Sequence, residues 1–162
     1  MTKSQQLQIR VTPRQKAALK RRAERAGLDV SRYVLERALP PSGARFEGIL
    51  SALREERSHR FALAELSDLL AALAPTELAE AVGDADVAGL SPFLRSYVAA
   101  MVEVAARRKS VVPPAWTAGV GGVDEPYFAA ALPGLRLHLL RASPVPFKRR
   151  NLFVDATVGD RV

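Results

Sequence analysis

The chain has 162 residues, 48% of them hydrophobic, with 24 Lys/Arg against 17 Asp/Glu and no cysteine. This composition argues against global disorder and excludes disulfides, thiolate zinc sites and cysteine nucleophiles. The chain lacks the run of about eighteen apolar residues that a spanning helix needs and an apolar signal core near Met1, so a soluble cytoplasmic protein without membrane contact is expected.

The excess charge lies at one end. Residues 1–40 hold ten Lys/Arg and three Asp/Glu, and residues 41–162 hold fourteen of each. Such asymmetry points to a polyanion-binding end joined to an end with another task, although a solvated basic helix gives the same count.

Gln6-Leu7-Gln8-Ile9-Arg10-Val11 alternates polar and apolar residues, the period of a half-buried strand. Leu7, Ile9 and Val11 share one face, and Gln6, Gln8 and Arg10 the other. Thr12-Pro13, with Gln15 three residues after Thr12, predicts a capping box and a proline start for a first helix ending near Ala26. Its apolar stripe, Ala18, Leu19, Ala23 and Ala26 with Leu28 beyond its end, is narrow, and Gly27 is the expected stop. Asp29 is placed to cap a second helix over about 30–39, with Val30, Tyr33, Val34, Arg37 and Ala38 on one face.

A six-residue strand cannot stand alone, because its backbone groups need a partner, and two short helices cannot cover its apolar face. A second copy of the chain satisfies both needs. Leu7, Ile9, Val11, Leu19 and Val34 then form a shared core, and Gln6, Gln8 and Arg10 face outward as a two-stranded ribbon. A ribbon fits the major groove, where Gln pairs with adenine and Arg with guanine. The amides around Val30 and Ser31, with Arg32 beside them, point at a phosphate site.

Residues 6–39, with their alternating strand, Arg-Val-Thr-Pro junction, Ala-Gly-Leu-Asp-Val-Ser corner and closing Glu-Arg-Ala-Leu, resemble the ribbon-helix-helix repressors and antitoxins. The resemblance implies that Gln6, Gln8 and Arg10 read operator DNA and that the second-helix start at Val30 and Ser31 anchors phosphate. It says nothing about the rest of the chain.

Pro40-Pro41-Ser42-Gly43 is the boundary candidate, separating a DNA-binding and dimerisation module over 1–40 from a helical partner-binding domain over 44–162. Helical patterning is expected from about Ala44, with Phe46, Ile49, Leu50 and Leu53 as one stripe. After a charged break at 55–60, Phe61, Leu63, Leu66, Leu69, Leu70 and Leu73 form the next. Pro75-Thr76 starts a short helix to about Ala81. Ser91-Pro92 opens a helix over 92–109 that is apolar on most sides and is therefore predicted to be central. Beyond it, residues 111–116 read as extended and 119–122 as a glycine-rich loop. Residues 134–141 read as a short helix with Leu135, Leu139 and Leu140 inward, 143–147 as irregular, and 151–155 as a short strand. The fold expected is mostly α: a ribbon-helix-helix arm followed by a helical domain with an irregular proline-rich tail.

No catalytic constellation is visible, so the chain is expected not to be an enzyme, and neither a cofactor nor a metal is expected. His59 and His138, the two histidines, read as surface or core residues rather than ligands. The glycine-rich loop lacks the strand and Lys-Ser/Thr of a phosphate loop. Lys148-Arg149-Arg150 could grip phosphate or an acidic partner, but a solvated charge run is the plainer reading. The segments around Trp116, residues 135–140 and residues 143–155 are similar to small bacterial proteins paired with nucleotidyltransferase toxins of the AbiE type. That similarity implies a toxin-binding surface, for which Trp116, Phe147, Arg149, Arg150 and Phe153 are the candidates.

The expected function is thus an antitoxin that neutralises its toxin through the C-terminal region and represses its own operon through a DNA-binding homodimer. The alternatives are a stand-alone repressor and a plasmid accessory protein of a relaxosome or partition complex.

Overall fold

The structure is a computed structural model that describes residues 8–38, 41–55, 59–130 and 132–155. The chain divides into two compact units, Met1–Leu39 and Pro40–Val162.

In the first unit, α1 (Pro13–Arg25) and α2 (Val30–Ala38) pack against each other. The expected capping box is present: Thr12 Oγ1 accepts from the Gln15 amide at 3.3 Å, and Gln15 Oε1 accepts from the Thr12 amide at 2.9 Å. Gly27 has φ +66, a conformation that costs a side chain but not glycine. It lets the Leu28 amide reach back to the Ala23 carbonyl and the Gly27 amide to that of Glu24, closing α1 in a Schellman motif. Asp29 then opens α2, its Oδ1 accepting from the Arg32 amide at 2.9 Å.

Ala23 is the one described residue of this unit that is buried. Gln6 and Leu7 lie outside the described residues. Residues 8–12 carry no regular structure, with Ile9 and Val11 exposed, so the expected strand is not formed over its described part. The physical reason is the one that makes a lone strand unstable: its amides and carbonyls find no ladder partner within a single chain.

The second unit is built on α3 (Pro41–Arg54), α4 (His59–Ala72), α5 (Pro75–Val82) and α6 (Pro92–Arg108). α3 and α4 pair, α5 packs on α3, and α6 runs through the middle against α4 and α5. Phe46, Ile49, Leu50 and Leu53 of α3 meet Leu66, Leu69 and Leu70 of α4 in one core that extends along α6. α6 starts as expected, Ser91 Oγ accepting from the Leu94 amide at 3.3 Å, and it buries every residue from Val98 to Ala106.

Several expectations need correction. α3 begins at Pro41, before Ala44, because proline is well suited to a first helical turn whose amides have no acceptor. Phe61 is 79% exposed, on the outer side of α4. Residues 115–118 and 145–148 form one-turn helices, α7 (Ala115–Ala118) and α9 (Val145–Lys148), where extended and irregular chain was expected. In α8 (Arg136–Ala142) Leu139 turns inward, but Leu140 is exposed, as is Leu135 just before it.

The tail also closes a two-stranded parallel ladder between β1 (Tyr127–Phe128) and β2 (Leu152–Phe153), with Tyr127 opposite Leu152. Beside it, Gly122 lies so close to Arg150 that a Cβ would sit 2.9 Å from its backbone, so this position of the 119–122 loop requires glycine.

Candidate nucleic-acid interface

Of the expected ribbon residues, Gln8 and Arg10 are exposed ahead of α1 and Gln6 lies outside the described residues. Val30, Ser31 and Arg32 occupy the exposed first turn of α2. The Arg32 amide is taken by Asp29 Oδ1, and the Tyr33 amide by the Asp29 carbonyl. The Val30 and Ser31 amides are the two in this turn that no described residue accepts from, as expected at a helix start. They carry the positive end of the helix dipole, so an anion is favoured there.

α1 carries Arg14, Lys16, Lys20, Arg21, Arg22 and Arg25, all exposed. One charge is answered locally, by Lys20 to Glu24 at 4.0 Å. At this exposure such a pair contributes little to stability, so the basic character of the helix face persists.

Between α1 and α2 lies an open groove of about 730 Å³. Leu19, Ala26, Tyr33, Val34 and Ala38 supply its apolar lining, and Arg22, Arg25 and Arg37 its charged part. The Arg37 guanidinium stands 5.7 Å from the centre of the Tyr33 ring. Two members of the expected dimer core, Leu19 and Val34, therefore line one accessible surface. Ile9 and Val11 are exposed in the preceding segment, and Leu7 lies outside the described residues.

The residues expected to bind a protein partner are distributed differently. Trp116 is half-buried, its Nε1 donating to the Val82 carbonyl at 2.8 Å. Phe147 is buried, edge-on to Tyr97 with ring centres 5.2 Å apart. Phe153 is half-buried and stacked on Phe128 at 4.8 Å. Arg150 is buried and donates to Glu103, to the Thr117 carbonyl at 2.6 Å and to the Pro146 carbonyl at 2.9 Å. Arg149 is partly exposed and also donates to Glu103. The reading of 148–150 as a solvated run is corrected at Arg150, because a buried counter-charge waits for it on α6. Trp116, Phe147, Arg149 and Arg150 join the tail to the helices of their own unit, Phe153 packs on Phe128 within the tail, and the side chains of Phe147 and Arg150 present no surface to another molecule.

The sequence reading passed over Glu103. Its signal was its isolation, as the sole acid within the apolar helix α6. A charge at such a position is expected to be paired. The Tyr97 phenol, among Phe93, Tyr127 and Phe147, is pushed up to about 12, first by burial and then by Tyr127. His138 is exposed, with Nε2 3.8 Å from an Asp155 carboxylate oxygen.

Among the described residues, no group of three or more His, Cys, Asp or Glu is placed to hold a metal ion, and no helix is long and apolar enough to cross a membrane. Compared with known families, residues 1–42 match the NikA-like family, described as Mobilization protein NikA. No curated protein and no solved structure matches the chain.

Proposed function

We propose that this chain is a DNA-binding accessory protein of DNA mobilization. It binds as a homodimer at a transfer origin, within a cytoplasmic relaxosome, using a ribbon-helix-helix arm. The observation that carries the reading is coincidence in place. The stretch that matches the mobilization family, residues 1–42, is the stretch that holds the whole net charge of +7. The exposed Arg10, the two open amides of α2 and the basic face of α1 are the chemistry that duplex DNA requires.

The groove lined by Leu19, Tyr33 and Val34 supports the dimer. An apolar surface on so small a unit is the place for a second copy to dock, which would also bring the two segments 6–11 together as an antiparallel ribbon. Gln6, Gln8 and Arg10 then meet base edges, and Val30 and Ser31 meet a phosphate. Nothing in the comparisons supports pairing with a toxin, so the mobilization reading displaces the antitoxin one.

Footprinting on a plasmid that carries this gene and its transfer origin tests the assignment. Protection is expected at the origin and is lost in Arg10→Ala. Protection confined to the promoter of the chain's own gene would instead make the chain a repressor.

A further inference from the structure

The second unit carries no excess charge, yet its charge is sharply segregated. Residues 61–94 hold six acids and no base, and residues 126–154 hold five bases and no acid. Part of each set is spent internally. Glu65 pairs with Arg45 at 3.3 Å, Asp86 lies 3.7 Å from Arg54, and Arg149 and Arg150 both engage Glu103. Glu80 on the outer side of α5, Asp84 just beyond it, and the guanidinium of Arg141 on α8 have no ion-pair partner among the described residues.

The outward face of α8 combines charge with exposed apolar surface. Leu139 is buried, while Leu137 is 73% and Leu140 41% exposed. At about 100° per residue, Arg136, Leu140, Leu137 and Arg141 follow one another across the side of α8 that faces solvent. Two exposed leucines are thus bracketed by two arginines. Arg136 is held there by the Phe128 ring, its guanidinium 5.1 Å from the ring centre.

The acidic counterpart has the opposite character. Pro75, Thr76, Ala79 and Gly83 leave α5 low and exposed, and Glu80 and Asp84 stand one helical turn apart beside them. The C-terminal end of α5 adds the negative end of a helix dipole.

We propose that α8 of one copy docks on α5 of a second copy, with Leu137 and Leu140 on the small-residue surface and Arg136 and Arg141 facing Glu80 and Asp84. In the arrangement proposed, α8 of each copy meets α5 of the next, the heterologous and non-closing kind of contact, rather than a reciprocal pair about a two-fold axis. The occupant is a second copy because one unit carries both members of a complementary pair: apolar-basic and small-acidic. This inference goes beyond the DNA-binding reading and does not depend on it. Where copies also pair through the arm, the contact joins those dimers laterally into longer assemblies.

Sedimentation velocity on the full-length protein tests it over a wide concentration range. A closed arm-mediated dimer saturates at twice the chain mass. The open contact predicts a mass that keeps rising with concentration. Raising salt from about 0.1 M to about 1 M shortens the screening length from about 10 Å to about 3 Å and should reverse the growth.

Arg136→Glu with Arg141→Glu, and Glu80→Arg with Asp84→Arg, should each weaken association roughly 10-fold or more by placing like charges together. All four changes combined should restore it. Leu137→Ser, at a side chain that contributes little to the core, should also abolish growth while leaving the circular dichroism melt unchanged. A mass that saturates at the dimer, reversals without effect, or a combined variant that fails to recover would each overturn the proposal. The DNA affinity of the same variants reports separately on the arm and is expected to be unchanged for a short single-site duplex.

Discussion

The guanidinium of Arg150 and the carboxylate of Glu103 meet at 2.7 Å with their side chains 1% and 2% exposed. They are 47 positions apart in sequence, one just beyond the end of α9 and the other at the middle of α6. Two carbonyls, of Thr117 and Pro146, accept further hydrogen bonds from the same guanidinium. The pair therefore ties α7, the tail and the central helix to one point.

Removing Glu103 leaves Arg150 charged and buried, and removing Arg150 leaves the buried Glu103 with Arg149 alone. Glu103→Gln should cost about 3–5 kcal/mol in urea unfolding, and Arg150→Met less, since Arg149 still answers Glu103. The double change Glu103→Leu with Arg150→Met should cost much less than the sum, since it removes both desolvation penalties together. Additive losses would show that the two residues act separately.

α4 offers a contrast between two residues of one predicted stripe. Leu66 is fully buried and Phe61 is 79% exposed. Leu66→Ala should destabilise by about 2–5 kcal/mol through lost burial and the cavity left behind. Phe61→Ser should change stability by less than about 0.5 kcal/mol. A large loss for Phe61→Ser would place that ring against something the monomer does not provide.

The Tyr97 phenol titrates at about 12 in the folded chain against an ordinary value of 10.0. The folded state therefore holds this proton more tightly than the unfolded state. The resulting stabilisation is fully present below pH 10 and is lost as pH rises from 10 to about 12. Denaturation midpoints measured across this range should fall for the wild type and fall less steeply for Tyr97→Phe. Identical profiles would remove Tyr97 as the cause.

Much of this was legible in the sequence where the signal is local. Thr12 with Gln15, Gly27, and Asp29 each act within one helical turn, so the corners of the arm lie where the residues say. The stripes of α3 and α6 were legible because several apolar residues agree on a face. Phe61, Leu135 and Leu140 were misplaced because periodicity defines a face without telling how far a neighbouring helix covers it. The one-turn helices α7 and α9 are too short for periodicity, and tertiary contacts set them. Arg150 read as solvent-facing because its counter-charge lies far away in sequence. The segment 6–11 has the alternating pattern of a strand, but its described part, residues 8–11, forms none, because an alternating pattern supplies a face and not a ladder partner.

The central claim, that the first forty residues form a DNA-binding arm, is tested most directly by the salt dependence of DNA affinity. Fluorescence anisotropy with a transfer-origin duplex should give log Kobs falling linearly with log salt. The slope should be about −5 to −9 if a dimer neutralises about 6–10 phosphates. Arg10→Ala should lower affinity by about 1–3 kcal/mol, the worth of a bidentate base contact, while leaving the fold intact. A flat salt response, or an Arg10→Ala protein that binds as tightly as the wild type, would contradict the account.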